Sequence, residues 1–171
     1  MKKSILPALI IGTSLSMSVA AEVNLEGVWQ VQGAENTQET LDTAVEEVVQ
    51  EMNFFIRKIA RSKLKEQAQV CNTWNFAVLN NNFSWQCDQD ETFELANAAK
   101  DQSVTKADGS TFTGTLNRGD NYITTVLTSD KGVRTNMWKK ISDSEMQYTA
   151  TIESEKLPQP LTWTLNYKLS Q

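Results

Sequence analysis

Between Thr73 and Leu169 apolar and polar side chains alternate in short runs, each closed by a turn signal, and this rhythm restricts the fold more than any other feature. Alternation marks a strand with one buried face. A succession of short strands joined by tight turns folds as an antiparallel sandwich or an up-and-down barrel. Trp74, Phe76 and Val78 alternate, Asn80 and Asn81 supply a turn, and Phe83, Trp85 and Cys87 alternate back. In that register Trp74 faces Cys87, Phe76 faces Trp85 and Val78 faces Phe83, all on one side of a hairpin. Asp108-Gly109, Arg118-Gly119-Asp120, Asp130-Lys131-Gly132 and Ser142-Asp143-Ser144 divide the rest of the region into strands over 110–117, 121–129, 133–141 and 146–153. Beyond Pro158 and Pro160, a last strand over 161–169 sets Trp163, Leu165, Tyr167 and Leu169 against polar neighbours.

Two different segments precede this region. Residues 23–32 form a first strand in which Gly27 permits close backbone approach beneath Trp29, whose indole closes one end of a core. From Leu41 onward the period changes. Val45, Val48, Val49, Met52, Phe55, Ile56 and Ile59 recur at spacings of three and four, as on one face of an amphipathic helix. Asn36 followed by Glu39 offers an N-cap with its capping-box acid, and acids lead while bases come after, in the order that the helix dipole favours. No glycine or proline interrupts the stretch, so one long helix over 37–65 and two shorter ones meeting near Asn53 are both open. Phe55, Ile56 and Ile59 are expected to cover the core while the neighbouring bases stay solvated. The acidic first half argues against an anionic membrane surface as partner. Nothing resembling a linker divides the chain, so 22–171 is read as one domain.

Residues 1–21 have the three regions of a signal peptide: Lys2 and Lys3, an apolar run from Ile5 to Ile11, and the small residues Ser18 to Ala21. The expected location is therefore the periplasm or the extracellular medium. No second apolar run of spanning length occurs, so stable membrane insertion is not expected. In an oxidising compartment Cys71 and Cys87 are expected to pair. Along a regular strand they would lie about 10 Å apart. The bond thus requires the chain to leave the strand before Thr73 and fold back over the hairpin.

Composition narrows the function. The 171 residues include no histidine and carry a net charge of −5. Histidine-based catalysis and metal sites are excluded, two cysteines are too few for a thiolate zinc site, and nothing favours a phosphate backbone. Nucleic acid is not an expected partner, and no cofactor or particular protein partner is indicated. Asp88, Asp90 and Glu91 are read as solvated loop acids, and no hydroxyl stands in a motif with a base to activate it. The chain is not expected to be an enzyme.

Gly27-Val28-Trp29, then the helical stretch, then the hairpins, in that order, resemble the calycin superfamily, most closely the intracellular fatty-acid-binding proteins. The best local match runs from Ala107-Asp108-Gly109 through Thr125 and Lys131-Gly132 to Trp138-Lys139-Lys140-Ile141-Ser142-Asp143, and ends at Tyr167. The resemblance implies an all-β fold: a closed antiparallel barrel of eight to ten strands, with a helical lid at about 37–66 between the first two. It also implies where a ligand would be held. The family's Arg-x-Tyr in the last strand reads Leu165-Asn166-Tyr167 here, and the arginine two strands earlier falls at or near Lys139. Arg134, at an odd offset from Lys139, is expected to point outward. Candidate ligand-binding residues are therefore Lys139 and Tyr167 at the polar end, Trp74, Phe76, Trp85, Met137 and Leu165 on the wall, and Met52 and Phe55 on the lid. The expected function is that of an exported binding protein for a hydrophobic small molecule, a fatty acid or other lipid, held inside the barrel. Without a guanidinium fork, a neutral or weakly polar ligand is expected over a carboxylate. The alternative is a calycin-type protein-binding module, such as a periplasmic protease inhibitor, whose barrel is filled by side chains. A cavity of several hundred Å³ would distinguish the two.

Overall fold

The computed structural model describes residues 23–170, so the signal peptide expected over 1–21 lies outside the described residues. Strand β1 (Gly27–Val31) leads into helices α1 (Ala34–Gln50) and α2 (Arg57–Gln67). Nine strands come next: β2 (Thr73–Leu79), β3 (Asn82–Cys87), β4 (Phe93–Ala96), β5 (Gln102–Thr105) and β6 (Thr111–Arg118), then β7 (Tyr122–Ser129), β8 (Gly132–Lys140), β9 (Glu145–Glu153) and β10 (Leu161–Leu169). Together with β1 they form one antiparallel sheet in the order β4-β3-β2-β1-β10-β9-β8-β7-β6-β5. The sheet curls into a nearly closed barrel, with β4 and β5 unpaired with each other at its two edges. That gap is bridged by Leu116 N–H donating to Ala99 O at 2.9 Å and by Arg118 Nη2 donating to Asn97 Oδ1 at 2.6 Å.

The turn chemistry works as the sequence predicts. The β2–β3 pairing places Trp74 opposite Cys87, Phe76 opposite Trp85 and Val78 opposite Phe83. Asn80 and Asn81 both adopt positive φ, as a two-residue hairpin turn requires. The strands from β6 to β10 begin and end within a residue or so of the expected positions. Strands β4 and β5 are not expected from the sequence. Each is four residues long, too short for alternation to register against the polar loops around it.

The helical insertion is two helices broken over 51–56, one of the two alternatives the sequence leaves open. It departs from expectation at its start and in what it buries. Helix α1 starts at Ala34, ahead of Asn36, because Gly33 takes a left-handed φ of 63° that turns the chain into the helix. No capping box forms. Thr37 Oγ1 instead donates to Gly33 O and Ala34 O. Leu41, Val45, Val48 and Val49 bury their side chains against the barrel, whereas α2 buries only Leu64. The break turns the second half of the apolar stripe away from the core, and Phe55, expected to cover it, is 86% exposed beside exposed Phe54, Ile56 and Ile59.

In the middle of β1, Trp29 is buried and its Nε1 donates to Leu25 O at 2.8 Å. At the helical end, Cys71 and Cys87 form a disulfide with Cα atoms 5.4 Å apart. The expected fold-back before Thr73 has an identifiable cause. Asp88, at φ 50°, accepts from the backbone N–H of Thr73 at 2.8 Å and of Asn72 at 3.2 Å, and so holds the start of β2 over the end of β3. One member of the acidic loop thus serves the fold. Closing a loop of this length contributes about 3 kcal/mol. Chemical denaturation with and without reductant is expected to differ by about that amount; an unchanged midpoint would mean that the bond constrains nothing in the unfolded chain.

Candidate functional site: a cavity at the helical mouth of the barrel

Strand parity decides which residues face inward, and on β8 the parity is set by Trp138, which is fully buried, and by Asn136, which is nearly so. Arg134 shares their face. Met137 and Lys139 alternate with them and stand half-buried on the outer face. This corrects two expectations: Lys139 is not the polar end of the interior, and Met137 is not on its wall. The expectation that Arg134 points outward is likewise overturned. Parity counted from Trp138, the largest apolar side chain of the strand, would have placed all three.

A cavity of about 490 Å³ opens at the end of the barrel that carries the helices. One side is aromatic, with Trp74, Trp85, Phe93 and Phe112; the other carries Arg134, Asn136 and Tyr148. The rim is formed by Glu66 and Gln67 of α2 and by the hairpin turns around Glu91, Lys106 and Lys131, so it mixes both signs of charge.

The polar side is one connected network. Asn136 Nδ2 donates to Thr125 Oγ1 at 3.1 Å, and Tyr148 Oη donates to Asn136 Oδ1 at 2.9 Å. Arg134 donates through Nε to Asn136 Oδ1 at 3.0 Å, through Nη2 to Tyr148 Oη at 3.2 Å and through Nη1 to Gln67 O at 3.3 Å. The guanidinium also lies over the Trp163 ring, 5.5 Å from its centroid. These bonds use three of the five N–H groups, one each on Nε, Nη1 and Nη2. Among the described residues no carboxylate forms a salt bridge with Arg134.

The remaining candidates separate into those on the cavity wall and those beneath it. Trp74 and Trp85 line the cavity. Phe76 and Leu165 are buried in the barrel interior but not on that wall, and Met52 is buried in the turn between the helices. Tyr167 is also fully buried, and its Oη donates to Cys71 O at 2.6 Å, tying β10 to the crossing between α2 and β2. Burial pushes its phenol far above the ordinary value, so it remains a neutral donor. Cys71 and Cys87 border the cavity as a disulfide, so the group they form with Asp88 offers no thiolate to a metal.

Below Trp74 and Trp85 the interior is crossed by rings. Trp138 meets Trp74 at 5.4 Å, Phe76 at 5.3 Å, Phe83 at 5.9 Å and Trp85 at 5.9 Å between centroids, and it stacks on Tyr148 at 5.8 Å. Arg134, Asn136, Tyr148 and Trp138 are the residues of this site whose roles are not anticipated from the sequence.

No family model matches the chain, and no curated protein matches it in sequence. Solved structures do match in fold. A Schistosoma mansoni fatty acid binding protein in complex with arachidonic acid is 13% identical, with a TM-score of 0.54 over 85% of this chain and 96% of that one. The Echinococcus granulosus fatty-acid-binding protein 1 is 11% identical, with a TM-score of 0.51 over 86% of this chain and 98% of that one. A mutant of the REP1-NXSQ fatty acid transporter is 13% identical at a TM-score of 0.50, covering 85% and 98%. The chain therefore has the fold of the fatty-acid-binding proteins.

Tyr167→Phe would leave the buried carbonyl of Cys71 without its donor, at a cost of about 1–3 kcal/mol. Thermal denaturation is expected to show that loss while affinity for a cavity-bound probe stays unchanged; a weaker probe with unaltered stability would instead make Tyr167 a ligand contact.

Proposed function

We propose that this protein is an exported carrier for a small amphipathic molecule with an anionic head, such as an acyl or aromatic carboxylate, held in the mouth cavity. Arg134 carries the proposal. A guanidinium on the wall of a cavity with one aromatic side, oriented by Asn136 and Tyr148 and with two N–H groups to spare, is the donor that a carboxylate takes as a bidentate partner. The aromatic side of the cavity, with Trp74, Trp85 and Phe93, offers the apolar surface that the rest of such a molecule needs. The bound arachidonic acid in the Schistosoma protein of the same fold supports the ligand class. The sequence-based preference for a neutral ligand assumes that no inward arginine survives, and Arg134 removes that assumption.

A cavity of about 490 Å³ favours this function over a protein-binding module with a filled barrel. Export is supported by the sequence of residues 1–21 and by the Cys71–Cys87 disulfide, a bond that persists in oxidising compartments. Among the described residues, no helix is long and apolar enough to cross a membrane.

Arg134→Gln separates the head group from the apolar contacts. A charged hydrogen bond contributes about 1.5–3 kcal/mol, so binding of anilinonaphthalene sulfonate is expected to weaken by roughly ten- to hundredfold. Binding of the neutral N-phenylnaphthylamine should be unchanged, both read by fluorescence titration. Equal losses for the two probes would assign Arg134 to packing alone.

A further inference from the structure

We infer that Trp138 props the ring layer of Trp74, Trp85 and Tyr148 that floors the binding cavity and thereby sets the longest ligand it accepts, so that the cargo is a short- or medium-chain acid rather than a long-chain one. This rests on the anionic-ligand function proposed above. In the strand order, β3 and β8 stand five places apart in a ring of ten, on opposite walls of the barrel. Trp138 of β8 nevertheless touches Phe83 and Trp85 of β3, and Trp74 and Phe76 of β2 beside them. Its side chain therefore spans the interior, and a second contact, Trp74 against Tyr148 at 5.1 Å, crosses beside it.

The cavity respects this crossing. Arg134 and Asn136 line it, whereas Trp138, two residues further along the same face of β8, does not; on the opposite wall Trp74 and Trp85 line it while Phe76 and Phe83 do not. A head group on Arg134 thus has its anchor, and the prop beneath its floor, on one strand. The step from Arg134 to Trp138 is about 13 Å of backbone, and the indole takes up part of it. Trp138 is fully buried, and its Nε1 has no hydrogen-bond partner among the described residues. That donor is placed by the packing of the ring rather than by a bond of its own.

The test is a chain-length series: hexanoate, octanoate, decanoate, laurate and palmitate, each below its micelle-forming concentration, titrated calorimetrically into wild type and into Trp138→Ala. Affinity for wild type is expected to rise about fourfold per methylene among the shorter acids. It should then stop rising by laurate, where the methyl end meets the ring layer that Trp138 props. Trp138→Ala is expected to carry the rise on to palmitate. Trp138→Leu, which keeps more apolar volume in the core, is expected to move the ceiling by a smaller step. The wild-type series alone decides whether a ceiling exists. A constant slope through palmitate in wild type, or the same ceiling in all folded proteins, would overturn the inference while leaving an anionic ligand in place. Failure of every acid to bind the folded wild type would instead remove the anionic-ligand function, and the inference with it.

Discussion

The contact of Trp138 with rings on the opposite wall is the interaction on which the geometry of the interior depends. Aromatic pairs of this kind contribute about 0.5–1.5 kcal/mol each beyond their buried area, and Trp138 makes five of them. The interior is thereby filled at one level, so the cavity is confined to the helical mouth. The face of β8 is also fixed, because rotating the strand by one residue would expose Trp138 and bury Lys139. Since side chains alternate strictly, burying Trp138 places Asn136 and Arg134 inside as well. The apolar core and the polar anchor are therefore set by one register.

The two helices are held on the barrel unequally. Helix α1 is held by buried aliphatic residues, and α2 chiefly by polar ties to its neighbours. Arg61 pairs with Glu46 and Lys65 with Asp42, and these hydrogen bonds hold both carboxyl groups below their ordinary pKa range. Arg57 donates to Gln50 O and Met52 O and so satisfies carbonyls at the end of α1. Exposed ion pairs contribute little, and few buried apolar contacts mark a segment of low local stability. The firmest restraints on the C-terminal side of α2 are the Cys71–Cys87 disulfide, the Tyr167–Cys71 bond and the donation from Arg134 to Gln67 O. Arg134 thus connects the cavity to α2.

Much of the fold is legible because alternation and turn residues agree along the chain. The β2–β3 register can be read from Asn80-Asn81, and the disulfide from the compartment and the fold-back it requires. Legibility fails where the deciding contact is remote in sequence. Phe55 and Ile59 continue the stripe of Val45 and Val48, but the break between the helices faces them outward, and nothing in the spacing decides between that break near Asn53 and one continuous helix. The side of β8 is misjudged when Lys139 is matched to a family anchor, although Trp138 and Asn136 carry the parity signal. Tyr167 lies on the expected inner face, but its hydroxyl partner, Cys71 O, is a backbone atom that no side-chain pattern reveals. Of the site itself, the aromatic side is readable through Trp74 and Trp85, while the polar side at Arg134, Asn136 and Tyr148 is not.

The most direct measurement of this arrangement is a set of intermolecular nuclear Overhauser contacts between carbon-labelled decanoate and the assigned side chains of the protein. The methylene next to the carboxylate is expected beside Arg134, and the methyl end against the rings of Trp74, Trp85 and Tyr148. No contact is expected from the ligand to Met146, which is buried in the interior and is not on the cavity wall. Contacts from the methyl end to Met146 would contradict a cavity closed off by the ring layer over Trp138.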